Sequence, residues 1–170
     1  MEYRQRQPYL VDEKVLASNG IRFANYIIDY IFQIILFVGL AFVVALIAAF
    51  NGNEQFIDKM ENMNRFHEYF LGAIIVLIYY NLFEIFFSAT IGKFITQTIV
   101  VNEFGEKPSY QDIMLRTVCR LIPFEQFSFL GTPGKGWHDK LSRTYVVDKN
   151  LLRKQKEIFY SLEKIGQNEI

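Results

Sequence analysis

Cysteine, histidine and proline are scarce in this chain: one Cys, two His and four Pro among 170 residues. The lone thiol, Cys119, excludes an intramolecular disulfide framework and a multi-thiolate metal site, and reads as a small apolar filler on an amphipathic helix. With His67 and His138 far apart, no metal-ligand spacing forms. No Gly-rich phosphate loop precedes a helix, and Ser142 lies near His138 and Asp139 only in sequence. No cofactor is expected, and the chain is not read as an enzyme. Net charge is missing as well, since 18 Lys and Arg balance 18 Asp and Glu. A nucleic-acid partner therefore has no electrostatic basis. A cleavable leader is not expected either: polar residues come first, the following apolar run is too long for a signal h-region, and no small-x-small site follows it.

What the chain has in quantity is apolar and aromatic side chains, 51% and 16% of the residues. Residues 31–50 hold Gln33 as their one strongly polar side chain, over the length that crosses about 30 Å of hydrocarbon as a helix. The Leu, Ile, Val and Phe of this run favour insertion by up to about 6 kcal/mol, against a cost of about 3 for a central aspartate, so insertion survives the neighbouring Asp29. Residues 69–87 form a second apolar run. The partner implied is the lipid bilayer, with the first run as an uncleaved signal anchor. Ser18 or Asn19 is placed to cap the first helix, and Asn51-Gly52-Asn53 to stop it. Between the runs lies an acidic loop in which Phe56, Ile57, Met60, Met63 and Phe66 recur near helical spacing, predicting a short surface helix with His67 at its end as an interfacial residue.

Charge distribution sets an orientation. Of the Lys and Arg, Arg4, Arg6, Lys14 and Arg22 precede or begin the first run, Lys59 and Arg65 lie between the runs, and the other twelve follow the second. By the positive-inside rule both termini are expected in the cytoplasm of a multi-pass inner-membrane protein.

Polar residues within the apolar runs are not scattered. Arg22, Asn25, Asp29 and Gln33 are spaced by three, four and four and share one helical face, as do Asn81, Glu84 and Ser88 on the second run. Because the second run returns inward, the two faces meet at one leaflet. Counting back from Phe50 puts the hydrocarbon boundary near Tyr30, with Asp29 at the inner edge and Arg22 about 10 Å further out.

Past Ser88 the composition changes. Thr90 to Lys93 is expected to turn, with Lys93 basic at the lipid boundary. The β-branched runs at 96–101 and 144–147 are expected to pair as a small ribbon. Ser109 is a good N-cap with Asp112 in the following turn. Residues 113–130 carry Arg116, Arg120, Glu125 and Pro123, a burden near +8 kcal/mol at mid-membrane, and so predict an interfacial or re-entrant amphipathic helix in place of a third span. Its apolar face is Leu115, Val118, Cys119 and Ile122, its polar face Asp112, Arg116 and Arg120. Gly131, Pro133, Gly134 and Gly136 form a turn before Trp137, an interface anchor. The basic, amphipathic tail at 149–170 fits either the anionic inner leaflet or a solvated terminal helix. The fold class expected is a mainly α membrane protein: spans at about 21–50 and 69–88, an amphipathic helix at the cytoplasmic leaflet and a two-stranded ribbon. A mobile lead at 1–17 precedes the domain at 18–148.

R-F-x-x-x-x-I-D-Y at 22–30, T-I-G-K-F-I-T-Q-T-I-V-V at 90–101, R-T-V-C-R-L-I-P-F at 116–124 and W-H-D-K-L-S-R-T-Y-V-V at 137–147 together resemble the RDD family of bacterial membrane proteins, named for one arginine and two aspartates. The resemblance implies Arg22 and Asp29 as the Arg and first Asp, and Asp139 as the second Asp. It implies a membrane location and leaves the biochemical role poorly defined, with transport suspected for some members. The chain departs from the family in lacking further glycine and basic residues after Gly92-Lys93, and a third span before Asp139.

The constellation that carries function on this reading is Arg22, Asp29, Glu84, Arg116, Arg120 and Asp139, with Asn25, Gln33 and Asn81 as polar neighbours. As structure it clamps a cap onto the spans. As an ion site it lets Asp29 and Glu84 bind and release H⁺ or Na⁺ while the arginines tune them. Two helices enclose no pathway, so transport requires a homo-oligomer or a larger membrane complex. The small residues Gly39, Ala41, Ala45, Ala48 and Ala49 permit close helix contact.

Overall fold

The computed structural model describes residues 8–130 and 135–168. Helix α1 (Asn19–Phe50) starts where Ser18 Oγ accepts from the Ile21 amide at 3.4 Å, and stops at Asn51 followed by Gly52 with φ +64°. After the turn comes α2 (Glu54–Glu61), capped by Asn53, which matches the short helix expected in the loop. Helix α3 (Arg65–Phe87) begins four residues earlier than the apolar run because Asn64 caps it, and ends on Ser88 at φ 55°. Ser88 therefore closes the helix and does not extend the polar face of Asn81 and Glu84. Both long helices are apolar and long enough to cross a membrane, and only 11% and 17% of their most apolar stretches are buried. The core helix of a soluble globule would be mostly buried.

Beyond Ser88 the chain makes α4 (Ile91–Ile95), strand β1 (Thr98–Val101), α5 (Tyr110–Cys119), a 3-10 segment (Glu125–Leu130), α6 (Trp137–Ser142), strand β2 (Tyr145–Asp148) and α7 (Lys149–Asn168). The strands pair antiparallel, Thr98 opposite Asp148 and Val101 opposite Tyr145. The ribbon is thus found, each strand shorter or shifted by a residue or two against the β-branched runs. The expected turn at Thr90 to Lys93 is a helical turn, and the expected single helix at 113–130 ends at Cys119 before its 3-10 segment. Ser109 and Asp112 form a reciprocal capping box on α5. Of the glycine-rich turn before Trp137, residues 131–134 lie outside the described residues.

Strand alternation gives the ribbon two working faces. Val101 and Val147 face Tyr9, Val15 and Leu152 in an apolar cluster, with Ile99, Tyr145 and Phe159 at its edge. Thr98 and Thr144, at the ends of the ribbon, turn the other way and accept from Asn25 and Arg116. Residues 9–17, expected as a free lead, are packed down: Val15 is wholly buried, the Val11 amide donates to the Glu103 carbonyl, and Leu16 bridges to Val147. Helix α7 likewise packs on the ribbon through Leu152 and Phe159 and is no detached tail.

Candidate functional site

One face of α1 organises the site at three levels, set by the rise of 1.5 Å per residue. At the outermost level Arg22 Nη2 donates to Asp139 Oδ2 of α6. One turn inward, Asn25 Nδ2 donates to Thr98 Oγ1 at 3.0 Å and its Oδ1 accepts from Thr96 Oγ1 at 2.5 Å. At the innermost level Asp29 accepts from the Tyr79 hydroxyl at 2.8 Å, the Thr90 hydroxyl at 2.6 Å and the Gly92 amide at 2.8 Å. All three α1 side chains are buried. The spacing of three and four residues that marks a helical face thus becomes a column of anchors for α6, β1 and α4.

The ionic part hangs on Glu84 of α3. Lys93 Nζ and Arg120 Nη2 each donate to its Oε1 at 3.1 Å, and Arg116 Nε lies 3.2 Å from its Oε2, an ion-pair contact outside hydrogen-bond geometry. Arg116 then reaches the other carboxylate, its Nη1 donating to Asp139 Oδ1 and, at 2.9 Å, to Thr144 Oγ1. The resulting chain runs Arg22, Asp139, Arg116, Glu84, then Lys93 and Arg120, alternating in sign and joining α1, α6, α5, α3 and α4. Arg120 also stacks over the Tyr80 ring, 4.0 Å from its centroid. Burying so many charges is tolerable because each has an opposite partner at contact distance.

The structure therefore joins Arg22, Glu84, Arg116, Arg120 and Asp139, and it separates Asp29, whose partners are three neutral donors. Asn81 is also apart, its Nδ2 bonded to the Leu77 carbonyl of its own helix at 2.9 Å. Gln33 is half-buried, outside the ionic chain and beside Tyr80. Trp137 opens α6 and is half-exposed. Several contributors escaped the sequence reading, among them Lys93, Thr90, Glu125 and His138. Lys93, expected at the lipid boundary, is buried on Glu84. Burial pushes its ammonium below the ordinary lysine value, opposed by the Glu84 charge.

Glu125 and His138 extend the site. His138 Nδ1 faces Glu125 Oε1, while its Nε2 lies 3.5 Å from Arg22 Nη2 and 3.2 Å from Asp139 Oδ1. A neutral ring satisfies two of these three contacts: Nδ1–H donates to Glu125 and Nε2 accepts from Arg22, while Nε2 faces the Asp139 oxygen without a shared proton, a tautomer assigned from the neighbours. Burial pushes the His138 imidazole below its usual value, and Asp139 opposes this. Burial disfavours charge on Asp139 too, but the facing guanidinium groups of Arg116 and Arg22 hold its carboxyl well below the usual range. Burial raises the Glu125 carboxyl, but the hydrogen bonds from the His138 ring and amide and the Arg120 charge together outweigh it and lower the carboxyl. Asp139 also accepts from the Gly136 amide at 2.7 Å, capping α6. A cavity of about 30 Å³, room for one or two waters, lies among Arg22, Asp29, Tyr80, Lys93, Glu125 and His138.

This arrangement of one arginine and two aspartates around two apolar helices coincides with a match to the RDD family over residues 16–143. The chain belongs to the RDD family. No curated protein and no solved structure matches it. Family membership and two poorly buried apolar helices together point to a membrane protein. In this RDD protein the two family aspartates differ in environment: Asp139 is held between two arginines, Asp29 among hydroxyls and an amide.

Helix α5 shows how the site sits in its surroundings. Its Arg116 side points inward, with Arg116 fully buried, and its apolar face points outward, with Leu115 and Val118 exposed, as is Ile122 just past the helix end. Cys119, grouped with that apolar face by sequence, is instead buried.

Proposed function

We propose that this RDD protein is a multi-pass protein of the bacterial inner membrane with cytoplasmic termini, and that it works as a structural or assembly module. Its charge network pins a cap, formed by α4 to α6 and the ribbon, onto the inner ends of two spans. The carrying observation is the unbroken ion chain from Arg22 to Lys93, which engages five helices through two carboxylates. Orientation follows from the positive-inside bias of Lys and Arg. The outward apolar face of α5 suits lipid at the inner leaflet, an interfacial placement for residues 110–122.

A second reading, a subunit of an H⁺- or Na⁺-linked transporter, is favoured by one observation: the small cavity reaches Asp29, Lys93, Glu125 and His138. It requires a homo-oligomer or a larger complex, because two spans enclose no pathway. Proteoliposome flux separates the readings. The structural reading expects no Na⁺ or H⁺ flux from the wild type or from Asp29→Asn, and a large drop in the unfolding midpoint for Arg116→Met. Flux in the wild type that Asp29→Asn abolishes while the variant stays folded would overturn it in favour of transport.

A further inference from the structure

A second feature, remote from the charge network, is a groove of about 590 Å³ along α7, bordered on one side by β1. It is lined by the apolar side chains of Ile99, Leu152 and Tyr160 and by Lys149, Arg153, Lys156 and Lys164 against a single carboxylate, Glu157, with Lys156 Nζ also donating to the Gly105 carbonyl at 2.8 Å. The volume lies within the range of small-ligand sites, and the excess of cations selects an anion with an apolar portion.

Its position identifies the source of that anion. On α3, Phe87 packs edge-on to Phe94 of α4 at 5.8 Å, and both rings are exposed, as is the adjoining Ile95. Two residues on, the Gln97 carbonyl accepts from the Lys149 amide at 3.0 Å. The exposed apolar surface at the end of α3 is thus followed by Phe94 and Ile95, and Gln97 joins them through the backbone to Lys149, the first cation of the groove. A molecule with acyl chains against Phe87 and Phe94 would bring its head group to Lys149 and Arg153. We infer that this groove binds the head-group phosphate of an anionic phospholipid from the surrounding bilayer. An acidic protein segment would satisfy the charges but leave the apolar surface unused. The inference rests on the proposed membrane placement of α1 and α3.

The test is lysine acetylation mapped by mass spectrometry on the full chain in nanodiscs of phosphatidylcholine alone or with phosphatidylglycerol. Incorporation into discs checks the membrane reading; protection within them checks the groove. Lys149 and Lys164, both exposed, are expected to lose reactivity several-fold when phosphatidylglycerol is present. Lys154, exposed on the same helix outside the groove, and Lys14 and Lys107 are expected to keep theirs. A Lys149→Glu, Arg153→Glu variant, altered only at exposed positions, should remove the protection of Lys164. Equal protection in both lipids, equal protection of Lys154, or the same protection by inorganic phosphate in phosphatidylcholine discs would each overturn the inference.

Discussion

Glu84 and Asp29 are both buried carboxylates facing the same cap, yet their partners differ in kind. Glu84 answers three cations, so Glu84→Gln strands Lys93 and Arg120 beside a neutral amide and leaves Arg116 with Asp139 as its one carboxylate. Removing one member of a buried ionic set costs about 3–5 kcal/mol. Asp29 receives Tyr79 and Gly92 on one oxygen and the Thr90 hydroxyl on the other. An asparagine keeps the first pair on its carbonyl, and its amide donates to Thr90 Oγ1 if that hydroxyl turns. Asp29→Asn is therefore expected to cost about 1–2 kcal/mol, the difference between charged and neutral acceptors. Unfolding of both variants in detergent should rank Glu84→Gln well below Asp29→Asn; the reverse order would mean that Asp29 balances a cation. The sequence already showed Arg22, Asn25 and Asp29 on one face, because helical periodicity is a local property. It did not show that Lys93 turns inward, since a lysine after an apolar run at a membrane edge reads equally well as a solvated head group. Its burial depends on Glu84, brought near by the turn at Ser88.

At the level of elements, α4 approaches the backbone of α1 closely. A Cβ on Gly92 would stand 2.5 Å from the Asn25 carbonyl oxygen and 3.0 Å from its Cα, backbone atoms that cannot rotate away. Gly92→Ala is expected to push α4 off α1, lengthen the amide bond to Asp29 and lower stability by about 1–3 kcal/mol. Gly72→Ala in α3 serves as the control, since nothing lies within 4 Å of its added Cβ. It should be neutral or slightly stabilising through helix propensity. Equal midpoints for the two variants would show that the α1–α4 contact yields freely. Elements themselves were largely readable: the capped ends of α1, the box at Ser109 and both β-branched runs lie close to where local rules put them. The sidedness of α5 was readable only through charge, because amphipathic spacing separates two faces without saying which one is core, whereas the expected pairing of Arg116 and Arg120 with the carboxylates turns the arginine face inward. Here the buried carboxylates Glu84 and Asp139 draw the arginine face inward and leave Leu115 and Val118 outside. The docking of residues 9–17 was hidden, since it depends on a ribbon assembled from strands more than forty residues apart in sequence.

For the whole molecule, a cap held by charge must respond to acid, and the sign follows from linkage. His138 has a folded value below its ordinary one, about 6.5 in an unfolded chain. A depressed group contributes stability that is fully present above its unfolded value and is lost as pH falls toward its folded value. Asp139 and Glu125 are depressed as well, from ordinary values near 4, so their contributions disappear at lower pH still. The facing cations Arg22, Arg116 and Arg120 stay charged throughout and offer no compensation. The unfolding midpoint in detergent is therefore expected to decline in two stages, gently below about pH 6.5 and steeply below about pH 4. His138→Gln, which can still donate toward Glu125, should remove the upper stage and keep the lower one. If acidification from pH 7 to 5 instead stabilised the protein, His138 would have to gain a proton on folding, sitting as an imidazolium between Glu125 and Asp139. That outcome would reverse the assigned tautomer and make the Arg22 contact at Nε2 a repulsive one.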